Sequence, residues 1–310
     1  MARRKIALIG SGNIGGTLAH LCALRGLGDC VLFDVVEGLP QGKALDLWEC
    51  GPIAGFDASI KGTNRIQDIA GAAVCVITAG ASRKPGMSRD DLLAINARVV
   101  GEVCRGIKRF APDAFVIVVT NPLDAMVTHA LRVTGFPKAR VVGQAGILDS
   151  ARYRAFVAAE LAVSPHSVRA MVLGGHGDDM VPVRSYCQLA GVPVARLISP
   201  ERLDAIENRV RHAGGEILGH MKTGAFYSTA HAVIRMVEAY LFDRKEILPC
   251  AALLEGEYGV KGFYVGVPVQ IGAGGVERVI EVDLSESERR ALDASVRHVR
   301  ELVEALERIA

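Results

Sequence analysis

The 310-residue chain has little of several things that mark common protein classes: one tryptophan, 5% aromatic residues, 12 prolines, and a formal charge of only +2. That charge, from 36 Lys and Arg against 34 Asp and Glu, lacks the basic footprint that holds nucleic acid or an anionic membrane. No apolar run approaches the roughly 18 residues of a membrane span. The opening MARRKIALIG runs into strand-like residues without a leader's apolar segment and cleavage site, so a cytoplasmic location is expected. Cys22, Cys30, Cys50, Cys75, Cys104, Cys187 and Cys250 show no paired short spacing, which fits reduced core thiols and neither a disulfide framework nor a zinc cage. No metal site is expected. Internal repeats, low-complexity tracts and flexible linkers are also missing.

What is present is a compact chain, 50% hydrophobic with 34 glycines, of a length that suggests two domains. Continuous apolar runs at Lys5 to Ile9, Cys30 to Phe33, Ala73 to Thr78 and Ala114 to Thr120 read as strands buried on both faces. Helical stretches at Ile14 to Arg25 and Asp91 to Phe110 separate them, which predicts an α/β, doubly wound parallel sheet of the Rossmann kind over residues 1–144. Residues 145–310 read as a second, α+β domain for substrate and catalysis. Its helices are expected at Asp149 to Leu161, Pro200 to His220, Thr229 to Phe242 and Glu286 to Ile309, with strands and turns after the first of them through Pro193 and strands between Ile247 and Val282. In the last helix Leu292, Val296, Val299, Leu302 and Leu306 recur every three to four residues.

The first strand ends in Gly10-Ser11-Gly12-Asn13-Ile14-Gly15, a GxGxxG pattern where a strand passes into a helix. Gly10 permits the tight turn, Gly12 lets backbone amides approach a pyrophosphate, and Gly15 lets the helix pack near the sheet. Asp34 follows 19 residues after Gly15, close to the ~20 expected of a ribose-binding carboxylate. A carboxylate there accepts from a ribose diol and repels a 2′-phosphate, and Val35-Val36-Glu37-Gly38 offers no cation, so the expected cofactor is NAD.

Further chemistry lies where strands end. The segment 79–90 has Gly and Pro hinges and the arginines Arg83 and Arg89, as a closing lid would. His176 is flanked by glycines that let a ligand approach, and Asp149 and Arg152 share one side of a helix. These parts fit hydride transfer between nicotinamide and a 2-hydroxy or 2-keto acid. Arg152 suits the α-carboxylate, His176 paired with Asp149 suits the hydroxyl proton, and Arg89 suits the charge developing on the keto oxygen.

Through GSGNIGG, ASRKPGMSRDDL, TNPLD, GILDSAR, GGHGD and the late YGVKGFYVGVPVQIGAGGVERVIEVDL, the chain resembles the lactate/malate dehydrogenase superfamily, specifically the lactate-dehydrogenase-like malate dehydrogenases of bacteria. The resemblance implies that His176 accepts the proton in malate oxidation, Asp149 orients it, Arg152 holds the α-carboxylate and Arg89 is the mobile lid arginine. It implies that Asn121 contacts substrate and nicotinamide, and that Asn96, Val119 and Thr120 contact the cofactor. Relatives that reduce pyruvate carry Gln where this chain has Arg83, and oxaloacetate has a second carboxylate that requires a cation, so malate and oxaloacetate are the expected substrates. Gln144, Ser228 and Thr229 depart from the family's usual residues near the expected substrate wall. The first strand starts almost at Met1, without the long N-terminal arm of some tetrameric lactate dehydrogenases, and a homotetramer or homodimer is expected. The alternatives are a lactate or other 2-hydroxy-acid dehydrogenase, distinguished by position 83, and a non-catalytic NAD-binding regulatory protein, which need not have kept His176, Asp149, Arg152 and Arg89 together.

Overall fold

The computed structural model describes residues 3–82 and 87–309. The first half runs β1 (Lys5–Ile9), α1 (Asn13–Leu24), β2 (Asp29–Phe33), α2 (Leu39–Ala54), β3 (Ile60–Thr63), β4 (Val74–Ile77), α3 (Arg89–Phe110), β5 (Phe115–Val118), α4 (Leu123–Thr134), β6 (Val141–Gly143) and α5 (Gly146–Glu160). Short strands β7 (Val168–Arg169), β8 (Val172–Leu173), β9 (Val181–Pro182), β10 (Gln188–Leu189) and β11 (Val192–Pro193) come next, then α6 (Pro200–Met221) and α7 (Tyr227–Leu241). The chain ends with β12 (Glu246–Glu255), β13 (Lys261–Gly272), β14 (Gly275–Val279) and α8 (Glu286–Ile309).

The apolar runs become central strands because their alternate side chains enter two cores. Ile6, Leu8, Val74, Val76, Phe115 and Ile117 face one layer of helices, and Ala7, Ile9, Cys75, Ile77, Val116 and Val118 face the other. The sheet order is β14-β13-β12-β6-β5-β4-β1-β2-β3, with the six strands from β6 to β3 parallel. Strand order reverses between β1 and β4, and the carboxyl ends of those two strands open a crevice there.

Two helices and two strands go beyond the expected elements. Helix α2 gives no amphipathic signal: Pro52 lies inside it, and Leu45, Trp48 and Ile53 are exposed. Helix α4 is buried on most sides, from Leu123 through Thr128, and is only 12 residues long. Strands β3 and β6 are only four and three residues long. The strands expected between Ile247 and Val282 are β12, β13 and β14, and they extend the first sheet, joined through the antiparallel pairing of Ala251 with Gly143. The periodic residues of α8, Leu292, Val296, Val299, Leu302 and Leu306, are all buried. All seven cysteines are free, and Cys50 alone among them is not buried.

Phe115 of β5 is fully buried and stacks on Tyr240 of α7, with ring centroids 4.5 Å apart, so one aromatic pair ties the two halves together. Phe115→Ala is expected to cost about 3–5 kcal/mol, because the cavity cannot be refilled from a rigid sheet. Urea unfolding should show a lower midpoint at unchanged slope.

Candidate active site

The glycine loop after β1 is shaped by close packing. Gly10 has φ +107°, and a Cβ on it would lie 2.6 Å from the Ala79 nitrogen and from Thr78 Oγ1. A Cβ on Gly15 would lie 1.9 Å from the Gly10 oxygen, whereas one on Gly12 would meet nothing within 4 Å. Gly10 and Gly15 therefore let β1, α1 and β4 close on one another, and Gly12 leaves the approach open. Helix α1 starts at Asn13 with no side-chain cap, so the first-turn amides of Asn13, Ile14 and Gly15 are available to an anion. Asp34 faces this loop: its Oδ2 accepts from the Ser11 amide at 2.7 Å and its Oδ1 from the Val36 amide at 3.1 Å. A cavity of about 560 Å³ runs from Gly10, Gly12 and Asp34 to Thr78, Ala79 and Gly80. Among the described residues the buried Ser11 Oγ has no partner. This open cradle, its donors and its fixed carboxylate fit a dinucleotide with a free ribose diol. Lys43, which stands in no sequence motif, donates its ammonium to the Gly12 carbonyl at 2.9 Å.

The ends of β4 and β5 are braced together. Asn96 is wholly buried; its amide nitrogen donates to the Asn121 carbonyl at 2.6 Å and the Ala81 carbonyl at 3.1 Å, while its oxygen accepts from the Ala81 amide at 2.7 Å. Thr120 Oγ1 donates to the Ala79 carbonyl at 2.7 Å, and Val119 is buried beneath. Asn96 thus sets the shape of both loops through their backbone. Asn121 is exposed and lines a second cavity, of about 320 Å³, together with Arg89, Asp124 and His176.

At the heart of the site is Asp149, in the first turn of α5 and 1% exposed. Its Oδ2 lies 2.9 Å from His176 Nδ1, and its Oδ1 accepts from Arg152 Nη1 at 3.0 Å. A carboxylate acceptor fixes the proton on Nδ1 and leaves Nε2 to exchange a proton with a ligand. Arg152 Nε is buried without a partner among the described residues, a donor free for an incoming anion.

The loop carrying His176 is held from two sides. Its amide donates to Asp124 Oδ2 at 2.9 Å, and the Gly175 amide donates to Ser295 Oγ of α8 at 2.9 Å. A Cβ on Gly174 would come within 2.6 Å of Ser295 Oγ, and one on Gly175 within 2.8 Å of Val299 Cγ2. These two glycines, expected to give a ligand room, instead let α8 pack against the loop; Gly177 is the open one. Ser295 carries no sequence signal for this role, whereas Asp124 stands in the TNPLD motif.

Burial pulls the His176 pKa down, but the charge and hydrogen bond of Asp149, helped by Asp124, outweigh it, and the net shift is upward from 6.5. Burial pushes the Asp124 carboxyl up to about 6, against the pull of the His176 amide and ring. A raised histidine pKa adds stability that is complete below 6.5 and is lost as pH rises through the folded value.

Arg83 lies outside the described residues. Gln144 is buried, its backbone amide donating to the Val118 carbonyl at 2.9 Å and its Nε2 without a partner among the described residues. Thr229 Oγ1 is bound to the Ala225 carbonyl at 2.8 Å, and Ser228 is exposed.

Comparison with known proteins agrees along the whole chain. A family model for the lactate/malate dehydrogenase NAD binding domain matches residues 4–143, and one for the lactate/malate dehydrogenase alpha/beta C-terminal domain matches residues 147–309. Malate dehydrogenase 2 of Anaeromyxobacter dehalogenans is 58% identical over 315 residues, covering 99% of this chain and 100% of that protein. The crystal structure of Cryptosporidium parvum malate dehydrogenase matches with TM-score 0.96 at 43% identity, covering 98% of this chain and 99% of that one. The same organism's lactate dehydrogenase, complexed with lactic acid and nicotinamide adenine dinucleotide, gives TM-score 0.96 at 44% identity, with 99% of each chain covered.

In an NMR titration, the His176 ring is expected to show a midpoint above 6.5. Asp124→Asn keeps an oxygen for the His176 amide and removes a negative charge, so the midpoint should fall while the fold persists. An unchanged midpoint would show that Asp149 alone sets it.

Proposed function

The chain belongs to the lactate/malate dehydrogenase family, and from that premise we propose that it catalyses the reversible NAD-dependent oxidation of (S)-malate to oxaloacetate. The observation that carries this reading is the buried Asp149, which holds a proton-exchanging imidazole on one oxygen and an arginine with a free donor on the other. Likeness of fold does not choose the substrate, since malate and lactate dehydrogenase structures match with the same TM-score of 0.96. Full-length identity of 58% to a malate dehydrogenase supports malate, and Arg83 in the lid offers the cation that a second carboxylate requires.

The glycine loop, the amides of α1 and Asp34 would hold the dinucleotide, with Asn96, Val119 and Thr120 shaping its nicotinamide end. Bound NAD supplies the hydride acceptor for the substrate's α-carbon. Arg152 binds the α-carboxylate as a planar fork and so orients the carbon that reacts. His176, neutral for oxidation, takes the hydroxyl proton at Nε2, and Asp149 stabilises the imidazolium that results. Asn121 and Arg89 donate to the substrate oxygen, where negative charge gathers in the reduction direction.

In the same reading the domains meet at residues 144 and 145, and the enzyme works in the cytoplasm as a step of the tricarboxylic acid cycle. It is a homo-oligomer, most simply a tetramer or dimer. The exposed Leu45, Trp48 and Ile53 on α2 support association, as does the apolar area they would leave in water.

With NADH, initial rates are expected to be fast on oxaloacetate and slow on pyruvate, and Arg83→Gln should erode that preference by several orders of magnitude. Equal rates on both acids would overturn the substrate assignment. Malate oxidation should lose kcat/KM as pH falls below the raised His176 pKa, and oxaloacetate reduction should lose it as pH rises above that value. Stopped assays in both directions across this range provide the check.

A further inference from the structure

A second histidine–aspartate pair stands on the cavity that His176 lines. His298, on α8, has its Nδ1 2.5 Å from Asp179 Oδ2 and its Nε2 2.6 Å from Arg89 Nη1. A guanidinium can only donate, so Nε2 must accept; a carboxylate can only accept, so Nδ1 must carry the proton. The hydrogen bonds therefore run from Arg89 to His298 to Asp179 and require a neutral imidazole. Asp179 lies in the same loop as His176, and α8 grips that loop through Ser295, so the relay is anchored to the catalytic frame. Arg89 needs such an anchor. Its backbone opens α3 within the Ser88–Asp91 capping box, but its side chain is long and exposed.

We propose that His298 is a positioning residue for Arg89: it holds one guanidinium nitrogen at the edge of the cavity and leaves Nε and Nη2 free to meet the substrate oxygen. The inference rests on the malate dehydrogenase reading and adds to it a residue outside the family's motifs. The benefit is preorganisation, since a donor already aimed at the developing charge need not be ordered during reaction. The charged and titratable groups around the cavity are Arg89 from α3, Asp124 from α4, and His176, Asp178 and Asp179 from the loop after β8, with Glu301 one turn further along α8. A protonated His298 would have no acceptor for Arg89 and would repel it.

Two measurements test this. In the cofactor-free protein, ¹⁵N spectra of the histidine rings should show His298 protonated at Nδ1 and bare at Nε2, with Arg89→Met moving the Nε2 resonance. In oxaloacetate reduction, His298→Ala should lower kcat/KM by about 10- to 100-fold, mainly through kcat, as expected for a misplaced transition-state donor. His298→Gln, whose amide oxygen can accept from Arg89, should recover most of the loss. Unchanged kinetics in His298→Ala, or a lower KM showing that Nε2 parks Arg89 away from substrate, would overturn it. A wild-type protein that turned over no oxaloacetate would overturn the function beneath it, and the nitrogen spectra, which need no turnover, would still decide the contact.

Discussion

Asp149 is a carboxylate taken almost wholly out of water, and it is tolerable there because each oxygen has a charged or chargeable partner. His176 and Arg152 come from opposite ends of a long segment, yet both take their position from this one group. Its place in the first turn of α5 adds the favourable end of the helix dipole. That turn begins just after β6 ends, so the edge of the sheet fixes the carboxylate, and the carboxylate fixes the His176 ring and the Arg152 guanidinium. A change that moved Asp149 would misplace both side chains at once.

The other wall of the site comes from far along the chain. Helix α8 supplies Ser295 to the Gly175 amide and Val299 to the space that a side chain there would fill, while α4 supplies Asp124 to the His176 amide. The imidazole thus has its ring set by α5 and its backbone by α4 and α8. Asp124 has a cost: burial raises its pKa to about 6, the mark of a charge retained where water has been excluded. A charge kept on such terms also acts on the histidine ring, which makes Asp124 part of the site's electrostatics as well as its scaffold.

The central strands were legible because burial on both faces leaves unbroken apolar runs, and α8 because one buried stripe repeats along an otherwise charged helix. Helices α2 and α4 were not. The first carries apolar residues on its outside and Pro52 within it, so it lacks the contrast from which a period is read, and the second has that contrast over only 12 residues. At the site, the motifs led to His176, Asp149 and Arg152, and Asp149 holds the other two. Motifs could not reveal what Gly174 and Gly175 are for, because that depends on Ser295 and Val299, more than a hundred residues away. The partnership of Arg89 with His298 and Asp179 was hidden for the same reason: no local pattern links three residues that meet only when α3, α8 and the His176 loop have packed.

The nine-stranded sheet makes the two halves one folding problem. With β12, β13 and β14 laid against β6, the residues after 245 complete a surface that the residues before 144 begin. Pairings across so long an interval are costly in loop entropy and form late, so the growing chain must carry β6 as an open edge until its last quarter has been made. Such an edge is a template for pairing with other chains. Crowded synthesis, rather than the finished enzyme, is where this architecture is most exposed to aggregation, and rapid arrival of the β12–β13 hairpin is what would protect it.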